Sequence, residues 1–351
     1  MNWKIVNIVV VILLIINLFS CKKVEVKPAP IFANVTLSAE YISHSSQDLK
    51  FKVRFLILDS RAKDGLIEDD ISTGLYISPY TGDSSGAYYT YTLNSIKKVS
   101  TAILGNSSTA IMLDESEIEE DNFNNQGAEY VLSQETACRI YFKNIANGSN
   151  FILSAYGSDN QLLPYQPLTI YGDNFTNNAL IYDQTLAELR RYSNFSGNTP
   201  FLLATDSLLE FMNLKAPNEN KNLIAFPHSE DNVGGKDWAT IINKALDYNI
   251  HCNIILTYQS SPNFYELIQL ASVTGGFIFY VENNQNGRNI PFFAEHLNDI
   301  LQGNILCYET EWAKHSDKPV FESNYYEGGY IELYIDNQRL YTYLPYYVGI
   351  P

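Results

Sequence analysis

The feature that most constrains this chain is an apolar run at residues 108–113, STAIML, which is followed directly by Asp114. A partly β-branched apolar run of this length is typical of a strand buried on both faces, as in the centre of a parallel sheet. In open α/β sheets the binding sites lie beyond the carboxyl ends of the strands. Asp114 is therefore predicted to lie at the edge of the sheet where ligands bind.

The sequence that follows supplies the other elements of such a sheet. Apolar runs at residues 223–226, 252–258 and 277–281 predict further buried strands, and strands are also predicted at 150–156 and 168–171. Helical patterns are found at residues 126–143, 178–192, 200–213, 236–248, 263–274 and 290–302. Because strands alternate with helices, we predict a doubly wound, mostly parallel α/β sheet spanning residues 106–304.

The flanking parts of the chain have β character. In residues 31–105 the apolar positions alternate, as at Leu49, Phe51, Val53 and Phe55, which is typical of half-buried antiparallel strands. Residues 305–351 contain further strand patterns rich in Tyr, but so few strands cannot bury a core alone. We therefore predict that they complete a β-sandwich into which the α/β domain is inserted.

The N-terminus predicts a compartment. Lys4 precedes an apolar run at residues 5–19 that is too short to span a bilayer comfortably and is typical of a secretory signal. The run ends in Leu-Phe-Ser-Cys, which resembles a bacterial lipobox. Residues 1–21 are thus predicted to be a lipoprotein signal peptide, with Cys21 carrying the lipid and residues 22–30 forming a tether. An uncleaved signal anchor is the alternative.

Charge and motifs exclude several functions. A net charge of -16 repels phosphates, so nucleic acid is not an expected partner. The sequence contains no phosphate-binding loop, no nucleophile elbow and no zinc-protease helix, so we do not expect an enzyme. The acidic run at residues 115–121 lacks the EF-hand spacing and is predicted to be a solvated loop, and Cys138, Cys252 and Cys307 are predicted to be buried, inert thiols.

The order of elements and three loops resemble a von Willebrand factor A domain. The loops are Asp114-x-Ser116, Gly-x-Thr199-Pro200 and the Ala-x-x-x-Gly-Gly sequence at residues 271–276. The resemblance implies a metal-ion-dependent adhesion site in which Asp114, Ser116 and Thr199 would be ligands. This chain departs from the pattern at Ile118, where the family has a second Ser, and at His228, where it has an Asp; Glu230 or Asp231 could substitute from the same loop.

These departures predict that Mg²⁺, Mn²⁺ or Ca²⁺ binds weakly or not at all, since Ile118 cannot ligate and imidazole is a poor Mg²⁺ ligand. Asp114, Ser116 and Thr199 would then brace their loops by hydrogen bonds. The N-terminal lipobox predicts a lipid-anchored, extracytoplasmic protein of the bacterial cell envelope, and the resemblance to a von Willebrand factor A domain implies that it binds an envelope or surface protein in adhesion or assembly. The alternative is a surface lipoprotein that binds a glycan or small ligand through its Tyr-rich β-domain.

Overall fold

Ten strands form one mixed sheet, and helices cover both faces of its parallel part. The computed structural model describes residues 32–59, 89–115, 126–159, 167–192, 194–195, 199–227, 231, 233–256, 264–281, 289–324, 326–335 and 340–351. They belong to a unit of mutual contacts at Ile31–Pro351. No helix in these described ranges is long and apolar enough to cross a membrane.

The strands, in chain order, are β1 (Phe32–His44), β2 (Asp48–Asp59), β3 (Tyr89–Ser100), β4 (Ser107–Asp114), β5 (Asn150–Tyr156), β6 (Ser158–Asp159), β7 (Leu168–Thr176), β8 (Asn194–Phe195), β9 (Asn220–Ala225), β10 (Ile250–Leu256), β11 (Ile278–Val281), β12 (Leu306–Ser316), β13 (Tyr326–Ile335) and β14 (Leu340–Gly349). The helices are α1 (Gln126–Lys143), α2 (Leu180–Tyr192), α3 (Phe201–Lys215), α4 (Trp238–Asp247), α5 (Phe264–Thr274) and α6 (Leu297–Gln302), and a 3₁₀ helix at Ile290–His296 leads into α6. Each predicted helix and strand of the α/β part is present, with ends shifted by a few residues.

The parallel part of the sheet confirms the predicted α/β class. Strands β11, β10, β9, β4 and β5 lie side by side and are parallel, and β7 closes this edge as an antiparallel neighbour of β5. Every residue of β4 is buried, as expected for a central strand covered on both faces. Ile111 and Leu113 face the layer of α1 and α2, whereas Ala110 and Met112 face α3, α4 and α5.

The predicted flanking β-sandwich is not confirmed. Strands β3, β12, β2 and β1 continue the same sheet, because β1 pairs with β11 from Ala33↔Val281 to Thr36↔Ile278. The tail does pair with the first part of the chain, since β12 lies between β2 and β3. The predicted domain boundaries near residues 105 and 304 fall inside this one sheet and stay predictions.

The hairpin of β13 and β14 forms a second layer over part of the antiparallel half. Ile331, Leu344 and Val348 of the hairpin are buried in one apolar cluster with Phe51 and Phe55 of β2. The ring of Tyr346 stacks on Phe51 with centroids 4.7 Å apart. The hairpin thus covers the apolar face that the period-two pattern of β2 creates.

The Gly-Gly sequence before β11 has a steric reason. Gly275 has φ +73°, which is the left-handed region that glycine adopts without strain. A Cβ on Gly276 would lie 2.0 Å from the carbonyl oxygen of Cys252 in β10. The close approach of α5, β10 and β11 therefore requires glycine at this position.

The three cysteines of the α/β and tail segments confirm their predicted role. Cys138, Cys252 and Cys307 are free and buried. Burial raises the pKa of the Cys252 thiol to about 12 and that of Cys307 to about 11, and it raises the pKa of Cys138 as well. Thiols held protonated in this way are poor nucleophiles and poor metal ligands.

Candidate functional site

The candidate site lies at the switch point of the parallel sheet. From β4 the chain passes through α1 to β5 on one side, and β9 later pairs on the other side of β4. At such a reversal the loops after the two strands diverge and leave a crevice beyond their carboxyl ends. Asp114 ends β4 and Asp231 follows β9, so both loops at this crevice carry a carboxylate.

Asp114 is buried, with 3% of its surface exposed. Its backbone is held on both sides by the amide of Gln134 in α1: Asp114 N donates to Oε1 and Nε2 donates to the Asp114 carbonyl, each at 3.1 Å. The next backbone N–H, of Glu115, donates to the carbonyl of Tyr156 at 2.9 Å. The first residue of the site is therefore fixed by the two elements on either side of it.

Thr199 lies at the same edge, immediately before α3, and is 1% exposed. The ring of Phe201 in the first turn of α3 packs edge-on against Tyr156, which is the residue paired with Asp114, at 5.8 Å between centroids. The sequence predicts Pro200 in the first helical turn, and the structure has it one position earlier, at the N-cap. The first turn of α3 thus contacts the end of the sheet beside Asp114.

Asp231 connects the loop after β9 to the start of α3. Its Oδ2 accepts a hydrogen bond from Leu202 N at 2.8 Å, and its Oδ1 accepts one from Gly234 N at 3.2 Å. A carboxylate at this place satisfies an otherwise unpaired N–H of the first turn of α3 and is stabilised by the helix dipole. Both carboxylate oxygens of Asp231 are therefore engaged in bracing loops.

The predicted metal ligands are only partly within the described residues. Asp114 and Thr199 are described, whereas Ser116, Ile118, His228 and Glu230 lie outside the described ranges. Among the residues that are described, no group of three or more His, Cys, Asp or Glu side chains is arranged to hold a metal ion. Mg²⁺ takes about six oxygen ligands, so Asp114 and Thr199 with an engaged Asp231 do not form a metal site by themselves.

Glu115 corrects the prediction of a solvated acidic loop at residues 115–121. Its exposed fraction is 2%, and neither of its carboxylate oxygens has a hydrogen-bond partner among the described residues. Burial, together with the nearby charges of Glu135 and Asp114, raises the pKa of Glu115 to about 8. The rest of this acidic run lies outside the described residues.

Glu115 and Asp114 face opposite sides of the sheet. Side chains alternate along a strand, so Asp114 follows the face of Met112 and Glu115 follows the face of Leu113, on which α1 and Glu135 lie. Glu115 consequently does not supply the carboxylate that His228 removes from the predicted site. The burial of Glu115 and Glu135 together was not predicted from the sequence. The position of Glu135 close to the apolar residues Ala137 and Cys138 of α1 was an indication that it lies on the buried face of the helix.

The Tyr-rich hairpin has both buried and exposed rings. Tyr346 is fully buried, and its hydroxyl lies 3.1 Å from that of Tyr91. Tyr326 is 54% exposed and stacks on Tyr347 with centroids 5.3 Å apart. Tyr265 of α5 is 47% exposed, and like Tyr347 it lies over Gly328, so the three rings share one region of the surface.

No family model and no curated protein match the sequence. Solved structures to which the chain is similar include a von Willebrand factor type A protein from Catenulispora acidiphila, with 8% identity and a TM-score of 0.44 over 92% of this chain and 74% of that one. They also include the pilus adhesin SpaC from Lactobacillus rhamnosus GG, with 8% identity and a TM-score of 0.42 over 90% of this chain and 48% of that one. A third is the proximal thread matrix protein 1 from the mussel byssus, with 12% identity and a TM-score of 0.40 over 64% of this chain and 50% of that one.

The chain spans about half the length of the pilus and mussel proteins. The mussel protein has also been solved with a zinc-occupied adhesion motif. All of these TM-scores are below 0.5, so the similarity carries no argument about function. The α/β class of this chain rests on its own strand order: a mixed sheet whose doubly wound part, from β11 to β7, is mostly parallel and has a loop-built crevice at its switch point.

Proposed function

We propose that this protein binds a protein partner at the crevice beyond β4 and β9, as a lipid-anchored adhesion or assembly factor of the bacterial cell envelope. One observation carries the proposal. Three loops, at Asp114, Thr199 and Asp231, converge at the switch point and are braced by hydrogen bonds and ring packing. A rigid rim at a switch point is the usual position of a binding site in an open α/β sheet.

The proposal includes a von Willebrand factor A-like domain whose metal site has lost ligands at Ile118 and His228. Partner binding would then depend on the shape of the rim and its protein contacts, and a bridging metal would contribute little. The short apolar N-terminal segment ending in Cys21 supports an extracytoplasmic position. The proposed function is binding without catalysis.

Site-specific photo-crosslinking in envelopes tests the proposal. A photoreactive residue at position 233, where Val233 is 36% exposed in the loop after β9, should capture a protein partner. The matched control is position 103 at the opposite edge of the sheet, where Ile103 is 74% exposed. Capture of one protein at position 233, unchanged by EDTA and missing at position 103, is the expected result; equal capture at both positions would contradict the proposal.

A second candidate function is glycan binding at the hairpin. The exposed rings of Tyr326 and Tyr265, with Tyr347 between them, form a flat aromatic surface of the kind on which the apolar face of a sugar ring packs. Binding of neutral oligosaccharides that Tyr326→Ala abolishes, while the crosslink at position 233 is unchanged, would favour this candidate.

A further inference from the structure

A cavity of about 170 Å³ lies at the edge of the sheet opposite the candidate site. It forms where the antiparallel and parallel halves of the sheet separate. The pairing of β1 with β11 ends at Thr36↔Ile278, and a bulge between Thr36 and Ser38 displaces β1 at this point. The amino-terminal ends of β9 and β10 and the end of α6 enclose the space that results.

The lining of the cavity differs from the rest of the protein in charge. Acidic residues outnumber basic ones by 39 to 23 in the chain, yet none of the described residues that line the cavity is acidic. Arg54 and His251 are the lining residues that can carry positive charge, and the apolar wall is made by Leu37, Phe277, Leu301 and Ile305. A mostly apolar wall with a few placed polar groups is typical of a small-molecule site.

The two amides in the lining are already engaged. Asn253 Nδ2 donates to Asn222 Oδ1 at 3.2 Å and to the Leu223 carbonyl at 3.1 Å, and Asn253 Oδ1 accepts from Phe277 N at 3.0 Å. These bonds tie β9, β10 and the start of β11 together. The two amides therefore form a rigid part of the cavity wall, and the other polar groups of the lining would orient a ligand.

His251 has one ring nitrogen fixed and the other unengaged. Its Nδ1 lies 2.9 Å from the carbonyl of Thr274, and since a carbonyl only accepts, Nδ1 carries the hydrogen and donates. Nε2 makes no hydrogen bond to any residue that the structure describes. A Cβ on Gly275 would lie 3.1 Å from Nδ1, so the glycine keeps the space beside the ring.

Arg54 is held in place by carboxylates that do not line the cavity. Its Nε donates to Glu309 at 2.7 Å and its Nη1 lies 3.2 Å from Glu40. Glu309 is also shared with Lys97 at 3.0 Å and Lys52 at 3.6 Å, so Arg54 does not neutralise it alone. Within the described part of the chain, the Nη2 donors of Arg54 have no partner, and a guanidinium fork is suited to a carboxylate.

We propose that this cavity binds a small organic monoanion with an apolar body, with its carboxylate at the Nη2 donors of Arg54 and its body against the wall of Leu37, Phe277, Leu301 and Ile305. An apolar protein cavity of roughly 150 Å³ accommodates benzene, so a benzoate-sized acid matches the volume. The proposal is independent of the proposed function, because the cavity and the crevice lie at opposite edges of the sheet.

The test uses benzoate and its neutral isostere benzamide as probes. Their binding to the soluble protein that begins after Cys21 is measured by NMR and by calorimetry. Benzoate should shift resonances of Gly275, Phe277 and Gly303 and should bind about tenfold or more tightly than benzamide, since the charged contact to Arg54 is lost with the amide. Equal binding of the two probes would overturn the anion specificity, and no saturable binding of benzoate up to millimolar concentration would overturn the site.

Two variants and a matched control locate the binding. Arg54→Gln should weaken benzoate at least about tenfold, whereas Lys52→Gln, which removes a neighbouring partner of Glu309 outside the cavity, should not. Ala102→Phe places a ring at the exposed rim and should block binding without changing the fold, as checked by circular dichroism and melting temperature. Unchanged benzoate affinity in a folded Ala102→Phe protein, or equal loss in Lys52→Gln and Arg54→Gln, would contradict the proposal.

Discussion

At the scale of the residue, Glu115 is the most unusual side chain of the described chain. A buried carboxylate is costly when ionised unless hydrogen bonds or a cation compensate it. Burial beside Glu135 and Asp114 raises the pKa of Glu115 from 4.5 to about 8, so its neutral form dominates near pH 7. The unfolded state ionises above pH 4.5, whereas the folded state stays neutral up to about pH 8. The stability of the protein is therefore highest below pH 4.5, as far as Glu115 is concerned, and is lost as the pH rises toward 8.

The replacement Glu115→Gln tests this sign. Gln keeps the shape but cannot ionise, so the variant should be more stable than the wild type by on the order of 2 kcal/mol at about pH 8.5 and nearly equal to it at about pH 4. Urea unfolding at both pH values measures the difference. Glu219→Gln, at an exposed position, is the control and should show no such trend. A difference between Glu115→Gln and wild type that does not change with pH would contradict the assignment.

The metal prediction also belongs to single residues. With Ile118 and His228 in place of a Ser and an Asp, the site keeps Asp114 as one firm negative charge, so Mg²⁺, Mn²⁺ and Ca²⁺ should bind weakly or not at all. The double variant Ile118→Ser, His228→Asp should gain affinity by about tenfold or more, since it restores an oxygen ligand and a carboxylate. Calorimetry with each ion measures this, and micromolar Mg²⁺ binding by the unmodified protein would disprove it.

At the scale of the element, the β13–β14 hairpin shields the apolar face of β2. Lys314 of β12 forms a buried ion pair with Glu327 of the hairpin, and its Nζ lies 4.0 Å from the centre of the Tyr89 ring. Removing the hairpin would uncover Phe51 and Phe55 and leave Lys314 without its carboxylate. A buried charge that loses its partner is strongly destabilising.

Deleting residues 325–351 should therefore destabilise the antiparallel half more than the parallel half. Hydrogen exchange should show lost protection in β2 and β12, with protection largely kept in β9 and β10. A milder pair of variants is Tyr346→Ala, which removes the buried ring on Phe51 and should cost about 3 kcal/mol, and Tyr326→Ala at an exposed ring, which should cost under about 1 kcal/mol. Uniform loss of protection, or equal costs for the two variants, would contradict this role of the hairpin.

At the scale of the whole molecule, the N-terminal segment sets the predicted location. The apolar segment that ends in Leu-Phe-Ser-Cys predicts a signal peptide, cleavage before Cys21 and an acyl anchor on that residue, which would hold the protein at a membrane. Mass spectrometry of the mature protein should find a lipid-modified Cys21 at its N-terminus, and Cys21→Ser protein should leave the membrane fraction. An intact Met1, or membrane partitioning of the Cys21→Ser protein, would rule out this anchor.

The local elements of this protein were determined by sequence. Continuous apolar runs such as residues 108–113 and 252–258 indicate strands that are buried on both faces. Helical periodicity over 200–213 and 236–248 indicates helices with one apolar face, so the types of these elements could be predicted. The same holds for Asp114 and Thr199, because their position after a strand and before a helix follows from local order. The Gly275-Gly276 turn could be predicted in the same way, because the chain turns there and packs closely against a neighbouring strand.

Tertiary structure alone decided how the two kinds of sheet join. Strands with alternating apolar residues, such as β2, can form either a sandwich or the extension of a sheet. Which of the two forms depends on whether β1 pairs with the edge strand β11, and the residues that pair are more than two hundred positions apart in the chain. The packing of α1 against the end of β4 buries Glu115 beside Glu135, and the end of the β1–β11 pairing opens the cavity that Arg54 and His251 line. Burial of a charge and the volume of a cavity are sums over neighbours from distant parts of the chain, and no local pattern contains them.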